Sequence, residues 1–300
     1  MLSTLFSISL GVLEEGLVYA IMAMGVYITY KILDFPDLSV DGTFPLGAAI
    51  TAVLIVAGVN PLLTLPISFL IGALAGAITG FIHVKLKVRD LLSGIIMMTA
   101  LYSLNLRIAS NRANVPIFSR SSIFKNGFLD SVIPEPIKPL TTAIILLIIV
   151  VIMKLLLDGY MKTKSGYLLR AVGDNDTLVT SLAKDKGMVK IVGLAIANAF
   201  VALAGSIYTQ KSGFFEISVG TGTIVIGLAS VIIGTNIFKR LSFVKGTTAV
   251  IAGSIIYKAC VALAIGAGMK AQDMKLITAI LFLVILVVSN DRKRRAKSHD

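Results

Sequence analysis

The sequence predicts an all-α polytopic membrane protein, and three observations predict it. Of its 300 residues 56% are hydrophobic and 15% charged, whereas a soluble domain has about 45–50% apolar and about 25% charged residues. The mean hydropathy is +0.90. Apolar runs of about the ~20 residues that cross ~30 Å of hydrocarbon recur along the chain. Lysine and arginine gather in alternate connecting segments, as they do beside membrane spans. Together these exclude a soluble enzyme, a DNA-binding domain and a secreted disulfide scaffold. The net charge of +12 would suggest nucleic acid in a soluble protein. Here it reads as basic loops. Cys260 is the sole cysteine, so no intrachain disulfide can form, and it reads as a small packing residue.

Nine candidate spans follow in order: about 11–33, 42–59, 62–83, 91–108, 139–157, 189–210, 222–238, 247–267 and 273–289. The second follows a break rich in proline and aspartate, and the seventh is short and glycine-rich. Either suits a re-entrant or broken helix, tolerated only where protein or a water-filled cavity covers its backbone. The expected count is therefore eight to ten. No Lys or Arg precedes Lys31, so the start lacks the basic region of a cleavable signal.

Orientation follows from the charges. Nineteen Lys and Arg residues fall on one side, in the segments around Lys85–Arg89, Lys154–Lys190, Lys239–Lys245 and Arg292–Lys297 together with Lys31. Eight fall on the other, Arg107, Arg112 and Lys211 among them. The richer side is expected to be cytoplasmic, which puts the C-terminus inside and, with nine spans, the N-terminus outside. The basic tail, about 290–300, reads as an anchor beside anionic headgroups. The whole chain, 1–300, is read as a single transmembrane domain with two long loops, external at about 109–138 and cytoplasmic at about 158–188.

The cytoplasmic loop carries the most information. Gly173 followed by Asp174, Asn175 and Asp176 is a helix-start pattern, since such side chains cap free amides and suit the positive end of the dipole. Leu178, Val179 and Leu182 continue as an apolar stripe, and Gly187 is a plausible stop. Three readings stay open: a capped loop helix, a helix in the lipid interface, or one inserted in a groove of a cytoplasmic partner.

Four stretches carry a resemblance: Leu33-Asp-Phe-Pro-Asp-Leu-Ser-Val-Asp-Gly-Thr-Phe-Pro-Leu-Gly-Ala-Ala49; Met98-Thr-Ala-Leu-Tyr-Ser-Leu-Asn-Leu-Arg-Ile108 with Ala113-Asn-Val-Pro116; Leu169-Arg-Ala-Val-Gly-Asp-Asn175; and Asn198 through Ile226-Gly-Leu-Ala-Ser-Val-Ile-Ile-Gly234. In these the chain resembles permease subunits of ABC importers of the branched-chain amino acid permease-like group, with the tryptophan/tyrosine-type importers nearest. The resemblance implies a dimer of permease subunits, a homodimer first with a heterodimer left open, cytoplasmic ATPase subunits that bind ATP-Mg, and an extracytoplasmic substrate-binding lipoprotein. It makes the third stretch a coupling helix that fits the ATPase, with Arg170, Gly173, Asp174, Asn175, Val179, Leu182 and Gly187 as its residues. The chain departs from the family pattern just afterwards, at Leu182-Ala-Lys-Asp-Lys-Gly187. No G-x-x-x-x-G-K-[ST] loop occurs in the sequence, so no cofactor is expected on this chain.

Other residues have two readings each. Asp37 and Asp41, near Pro36, either border a translocation path or cap a cytoplasmic turn. Asp41 also suits the cap of the second span. Asn105 and Arg107 end the fourth span, where they either meet substrate and a docking protein or simply flank the interface. Glu14 and Glu15 read as snorkelling side chains. Lys258 is mid-span, where a charge must find water or a partner, so it is a candidate for the path or a dimer contact. Gly72, Gly76 and Gly80 repeat on one helix face and allow close helix packing. With His83 and His299 the only histidines, no metal site is expected.

The expected function is a non-enzymatic permease, in the plasma membrane, importing a small organic solute by alternating access. An amino acid, aromatic or branched-chain, is the first expectation; nucleoside or sugar import is the alternative. The rival from another class is an ion-coupled secondary transporter. That would want paired broken helices and intramembrane carboxylates, and no mid-span Asp or Glu is evident in the sequence.

Overall fold

The structure, a computed structural model, describes residues 2–127, 131, 133–174, 185–239, 241, 243–268 and 273–297. Ten helices are traced among them: α1 (Leu2–Val26), α2 (Val40–Val56), α3 (Pro61–Val84), α4 (Asp90–Ile108), α5 (Thr141–Tyr160), α6 (Lys164–Asp174), α7 (Lys186–Ser212), α8 (Thr223–Ile237), α9 (Gly246–Gly266) and α10 (Met274–Lys297). Seven helical segments are long and apolar enough to cross a membrane, and Val40–Val56 and Leu276–Val287 are shorter apolar helices. Those nine segments match the nine expected spans in order. Two three-residue strands, β1 (Asn114–Pro116) and β2 (Phe214–Glu216), pair antiparallel and tie the loop after α4 to the end of α7.

The first break has a local cause. At its end α1 widens into a π-turn over Tyr27–Ile32, Asp34 takes a left-handed conformation (φ 51°), and Pro36 cannot donate to a continuing helix. The Asp37 carboxylate then accepts from the Ser39 amide at 2.9 Å, turning the chain into α2.

Helix α7 is the hub. Its N-terminus is capped by Asp185, which accepts from the amides of Gly187 and Met188 at 2.8 and 3.2 Å. It ends where Gly213 takes φ 82°, a conformation that favours glycine. Helix α1 meets it at Gly25, where a Cβ would strike the Ala197 carbonyl, and two further helices pack on it through more than one missing side chain. On α3, a Cβ at Gly72 would strike Ala202, one at Gly76 the Leu194 carbonyl, and one at Gly80 the Cα of Ile191. The order of these contacts makes α3 antiparallel to α7, and the expected glycine stripe is a seam inside this subunit. On α2, a Cβ at Gly47 would land on the Ala202 carbonyl, and one at Gly205 on the Phe44 carbonyl. Ser39 meets Asn198 and Thr51 meets Ser206, so α2 runs parallel to α7. Hydrocarbon between helices supplies no net drive to associate, so such backbone contact and buried hydroxyl bonds carry the packing.

Two expectations are corrected. Gly187 does not stop a helix; it lies in the first turn of α7, because Asp185 caps there. Gly173 and Asp174 lie within α6, preceded by nine of its residues, rather than ahead of a helix start. In α6, Leu169 and Val172 are buried, and a Cβ on Gly173 would strike the Ile32 carbonyl. The helix is therefore held by close approach to the end of α1, which overrides glycine's tendency to punctuate. Asn175, Val179 and Leu182 lie outside the described residues.

Candidate functional site: two interrupted helices meeting inside the membrane

The spans marked as weak in the sequence, the second and seventh, are the two that meet. After β2 the chain re-enters through a 3₁₀ turn, Ile217–Gly220, and α8 begins at Gly222 (φ 84°). Its first amides have no partner within the helix. Asp41, on α2, supplies it: one oxygen accepts from the Gly222 amide at 2.9 Å, the other from the Ile224 amide at 2.8 Å and the Thr223 hydroxyl at 2.9 Å. Asp41 therefore caps α8, not α2 as the sequence suggested. Its negative charge also faces the positive end of that helix dipole. A Cβ on Gly220 would collide with the Asp41 carbonyl and the Pro45 ring, so the re-entrant turn fits over the point where Pro45 interrupts α2's hydrogen bonding.

Asp37 lies deeper. It is 1% exposed and accepts from the Asn198 Nδ2 at 2.7 Å, while Ser39 Oγ donates to Asn198 Oδ1 at 3.2 Å. Asn198 is the thirteenth of the 27 residues of α7, while Phe35 and Leu38, on either side of Asp37, meet His83 in the last turn of α3 and Gly94 near the start of α4, so the trio is enclosed by protein on several sides. Asp37 is thus a buried carboxylate with polar protein partners, on a break that folds back into the bundle, which periodicity alone does not reveal.

Beside Asp41 a cavity of about 390 Å³ opens between α2, the re-entrant turn and α4. Its α4 wall is Met98, Thr99, Tyr102, Ser103 and Asn105, opposite Pro45, Ile217 and Thr221. Thr99, Tyr102 and Ser103 lie one turn apart and share a face. Asn105 is fully buried; its Nδ2 donates to the Gly42 carbonyl at 3.0 Å, and its Oδ1 has no partner among the described residues. This lining offers a half-exposed phenol, three aliphatic hydroxyls and an apolar floor, which suits a small solute with one polar end.

Of the expected path residues, Asp41 and Asn105 thus share one cavity, and Asp37 is outside its lining. Arg107 is exposed on α4 and outside that lining. Lys258 stands apart, on α9. It is 6% exposed, paired to Glu15 Oε2 at 2.9 Å, and its Nζ lies 4.0 Å from the Tyr19 ring centre. Glu14 pairs with Lys211 at 3.3 Å, so both glutamates are ion-paired rather than free to snorkel. The Glu15–Lys258 pair predicts an asymmetry. Glu15→Gln strands a buried ammonium and is expected to cost about 2–3 kcal/mol, while Lys258→Met leaves only a carboxylate whose side chain is 49% exposed and costs less. Melting of the two purified variants checks the order; a larger loss for Lys258→Met would refute it.

Sequence reasoning missed Tyr102, Thr99, Ser103, Ser39 and Asn198. The i, i+3, i+4 spacing on α4 was the available signal for the first three. Nothing local marks Asn198, whose partner is distant in sequence. Among the described residues no group of three His, Cys, Asp or Glu side chains could hold a metal ion.

The α8 cap supports a further prediction. Asp41→Ala removes three hydrogen bonds at once and is expected to cost about 2 kcal/mol, read as a lowered melting temperature. Asp41→Asn, which keeps an acceptor oxygen, recovers part of it; equal stability of all three proteins would contradict the cap.

Comparison with known proteins bears on this arrangement. Residues 8–288 match the family model described as the permease component of the branched-chain amino acid transport system. The chain is 44% identical to the tyrosine transport system permease protein of Clostridioides difficile, over 94% of this chain and 91% of that one. It is 26% identical to the ribose import permease protein RbsC of Haemophilus influenzae (79% and 72% covered) and 28% identical to the nucleoside ABC transporter permease protein NupC of Lactococcus lactis (66% and 66%). No solved structure matches.

Proposed function

Because this chain belongs to the branched-chain amino acid transport permease family of ABC systems, a family of non-enzymatic multi-pass membrane components, we propose that it is the membrane-spanning subunit of an ATP-driven importer of an amino acid, tyrosine or a close aromatic relative first. The observation that carries the reading is the 44% identity, over nearly the whole chain, to a permease named for tyrosine transport. The cavity at Tyr102, Asn105 and Asp41 supports it as the stretch of path on this subunit. In ABC systems a separate ATPase subunit uses ATP. A binding lipoprotein outside, cytoplasmic ATPase subunits, and a second copy of this permease complete the assembly, with the C-terminus cytoplasmic and no cofactor on this chain.

The mechanism needs a link between the ATPase and the path, and α6 supplies one. It leads into the proposed coupling segment and packs, at Gly173 and Leu169, on Ile32 and Leu33, the residues just before the break. Movement of α6 is passed directly to the turn that carries Asp37 and, beyond it, Asp41. Only a solute or nucleotide that binds the two end states differently can drive the exchange.

The test is reconstitution of the permease with its ATPase and binding protein in vesicles. ATP-dependent uptake of labelled tyrosine, and not of ribose or a nucleoside, is the expected result. Uptake of ribose or a nucleoside instead would establish the second reading, which the sugar and nucleoside permeases among its relatives favour. Uptake without the ATPase would overturn both. Val179→Glu with Leu182→Glu is expected to lower substrate-stimulated ATP hydrolysis at least tenfold while the permease still folds; wild-type stimulation in that variant would sink the coupling role.

A further inference from the structure

A second polar cavity, of about 300 Å³, lies at the opposite end of the bundle from the β1–β2 pair. It forms where α1 and α5 end and α9 begins, beside α6. Its walls carry Tyr27, Lys162, Tyr167, Arg170 and Lys245, and its floor is the first turn of α9 at Gly246 and Thr247. We propose that this cavity is a binding site for a phosphate monoester or diester anion, occupied in the membrane by the headgroup of an anionic phospholipid.

The charge balance is the first argument. Asp158 is the one carboxylate in the lining, and it is saturated. One oxygen accepts from Lys154 at 2.8 Å and from Lys245 at 3.2 Å; the other accepts from the Thr247 hydroxyl at 2.7 Å. Lys162 and Arg170 have no carboxylate partner among the described residues, so the cavity keeps an excess of positive charge. The helix end adds to it. Lys245 occupies the N-cap of α9 with no side-chain cap bond, and the first amides of a 21-residue helix carry the positive end of its dipole. Backbone amides at a helix start together with converging lysine and arginine are the donor set that phosphate oxygens require. The Tyr27 ring lies over Gly246, where a Cβ would collide with its hydroxyl, so the phenol also reaches the floor.

The setting argues for a lipid over a soluble anion. The cavity opens at the end of membrane-spanning helices, where headgroups lie. Tyr167 is exposed at its rim, and Phe243 is exposed close to Lys245 in sequence, aromatic side chains that suit the interface. Leu155, one turn from Asp158 on the same face of α5, is also exposed and offers acyl chains a surface leading away from the charged cup. Loose attraction of a basic loop to a charged surface would need none of this convergence.

The full-length permease in lipid nanodiscs tests the proposal. In discs of phosphatidylcholine with a minor fraction of phosphatidylglycerol, the wild type is expected to retain phosphatidylglycerol selectively through detergent exchange, read by native mass spectrometry. Lys162→Gln with Arg170→Gln should lower that retention about tenfold. Lys85→Gln with Arg89→Gln, exposed residues that remove the same charge elsewhere, should leave it unchanged. Equal losses in the two pairs, or no preference for phosphatidylglycerol in the wild type, would overturn the site. Thermal stabilisation by glycerol phosphate in pure phosphatidylcholine discs, abolished by the first pair and matching that from phosphatidylglycerol, would keep the phosphate chemistry and overturn the lipid as its source. Lys162→Gln alone, at an exposed position, shows the effect even if the double variant does not fold.

Discussion

Asn198→Leu is expected to lower stability by about 3–5 kcal/mol, the scale of breaking a buried charged pair. The side chains are similar in size, so little of this comes from packing. The loss arises because Asp37 forfeits the 2.7 Å bond from Asn198 Nδ2 and the Ser39 hydroxyl forfeits its acceptor. Both stay buried, where no solvent replaces the partner. Removing one member of a buried pair costs more than removing both. Asp37→Leu combined with Asn198→Leu should therefore recover a substantial part of the single-variant loss. Melting of the purified proteins in detergent decides the matter. If Asn198→Leu melts with the wild type, or the double variant is worse by the full sum of its parts, the trio does not hold the break in place.

The second large effect is at the α3–α7 seam. Gly76→Leu places a Cβ on the Leu194 carbonyl and within 2.7 Å of Asn198 Cβ. The first obstacle is backbone and has no rotamer to escape into. The helices must separate along their length, losing the dispersion contacts that substitute for a hydrophobic drive within lipid. The expectation is a loss above about 3 kcal/mol, seen as failure to elute as a single species in size-exclusion chromatography. Gly11→Leu serves as the comparison, since nothing lies within 4 Å of a Cβ there. Similar elution of both variants would mean that the seam tolerates separation.

Much of the architecture was legible in the chain. Hydropathy located nine apolar segments, and the two that looked too weak to be plain spans are the two interrupted helices. Proline and aspartate marked the first break, and the spacing of Gly72, Gly76 and Gly80 marked a packing face. What could not be read was depth and partnership. Asp37 and Asp41 are four residues apart, yet one is buried against Asn198 and the other caps a helix start more than 180 residues away. A hydropathy profile reports how apolar a window is, not whether the chain folds back into the bundle. Lys258 was legible as a charge in need of a partner, but Glu15 as that partner was not. In the loop before α7, Gly173 signalled a helix start where the backbone instead needed room against Ile32. Glycine reports a small space, and whether that space is a turn or a neighbouring helix is decided by the tertiary fold.

The glycine seams on two sides of α7 also bear on how the subunit can move. Carbonyls seated against bare α-carbons interlock like teeth, so α2 and α3 can tilt with α7 but cannot slide along it without collision. The three must travel as one stiff plate. The re-entrant turn is seated on α2 in the same way, Gly220 against the Asp41 carbonyl, so a rearrangement that opens or shuts the cavity beside Asp41 falls to α4, its remaining wall. In the proposed import cycle, a crosslink fixing α3 to α7 is therefore expected to leave uptake intact, whereas one fixing α4 to the re-entrant turn is expected to arrest it.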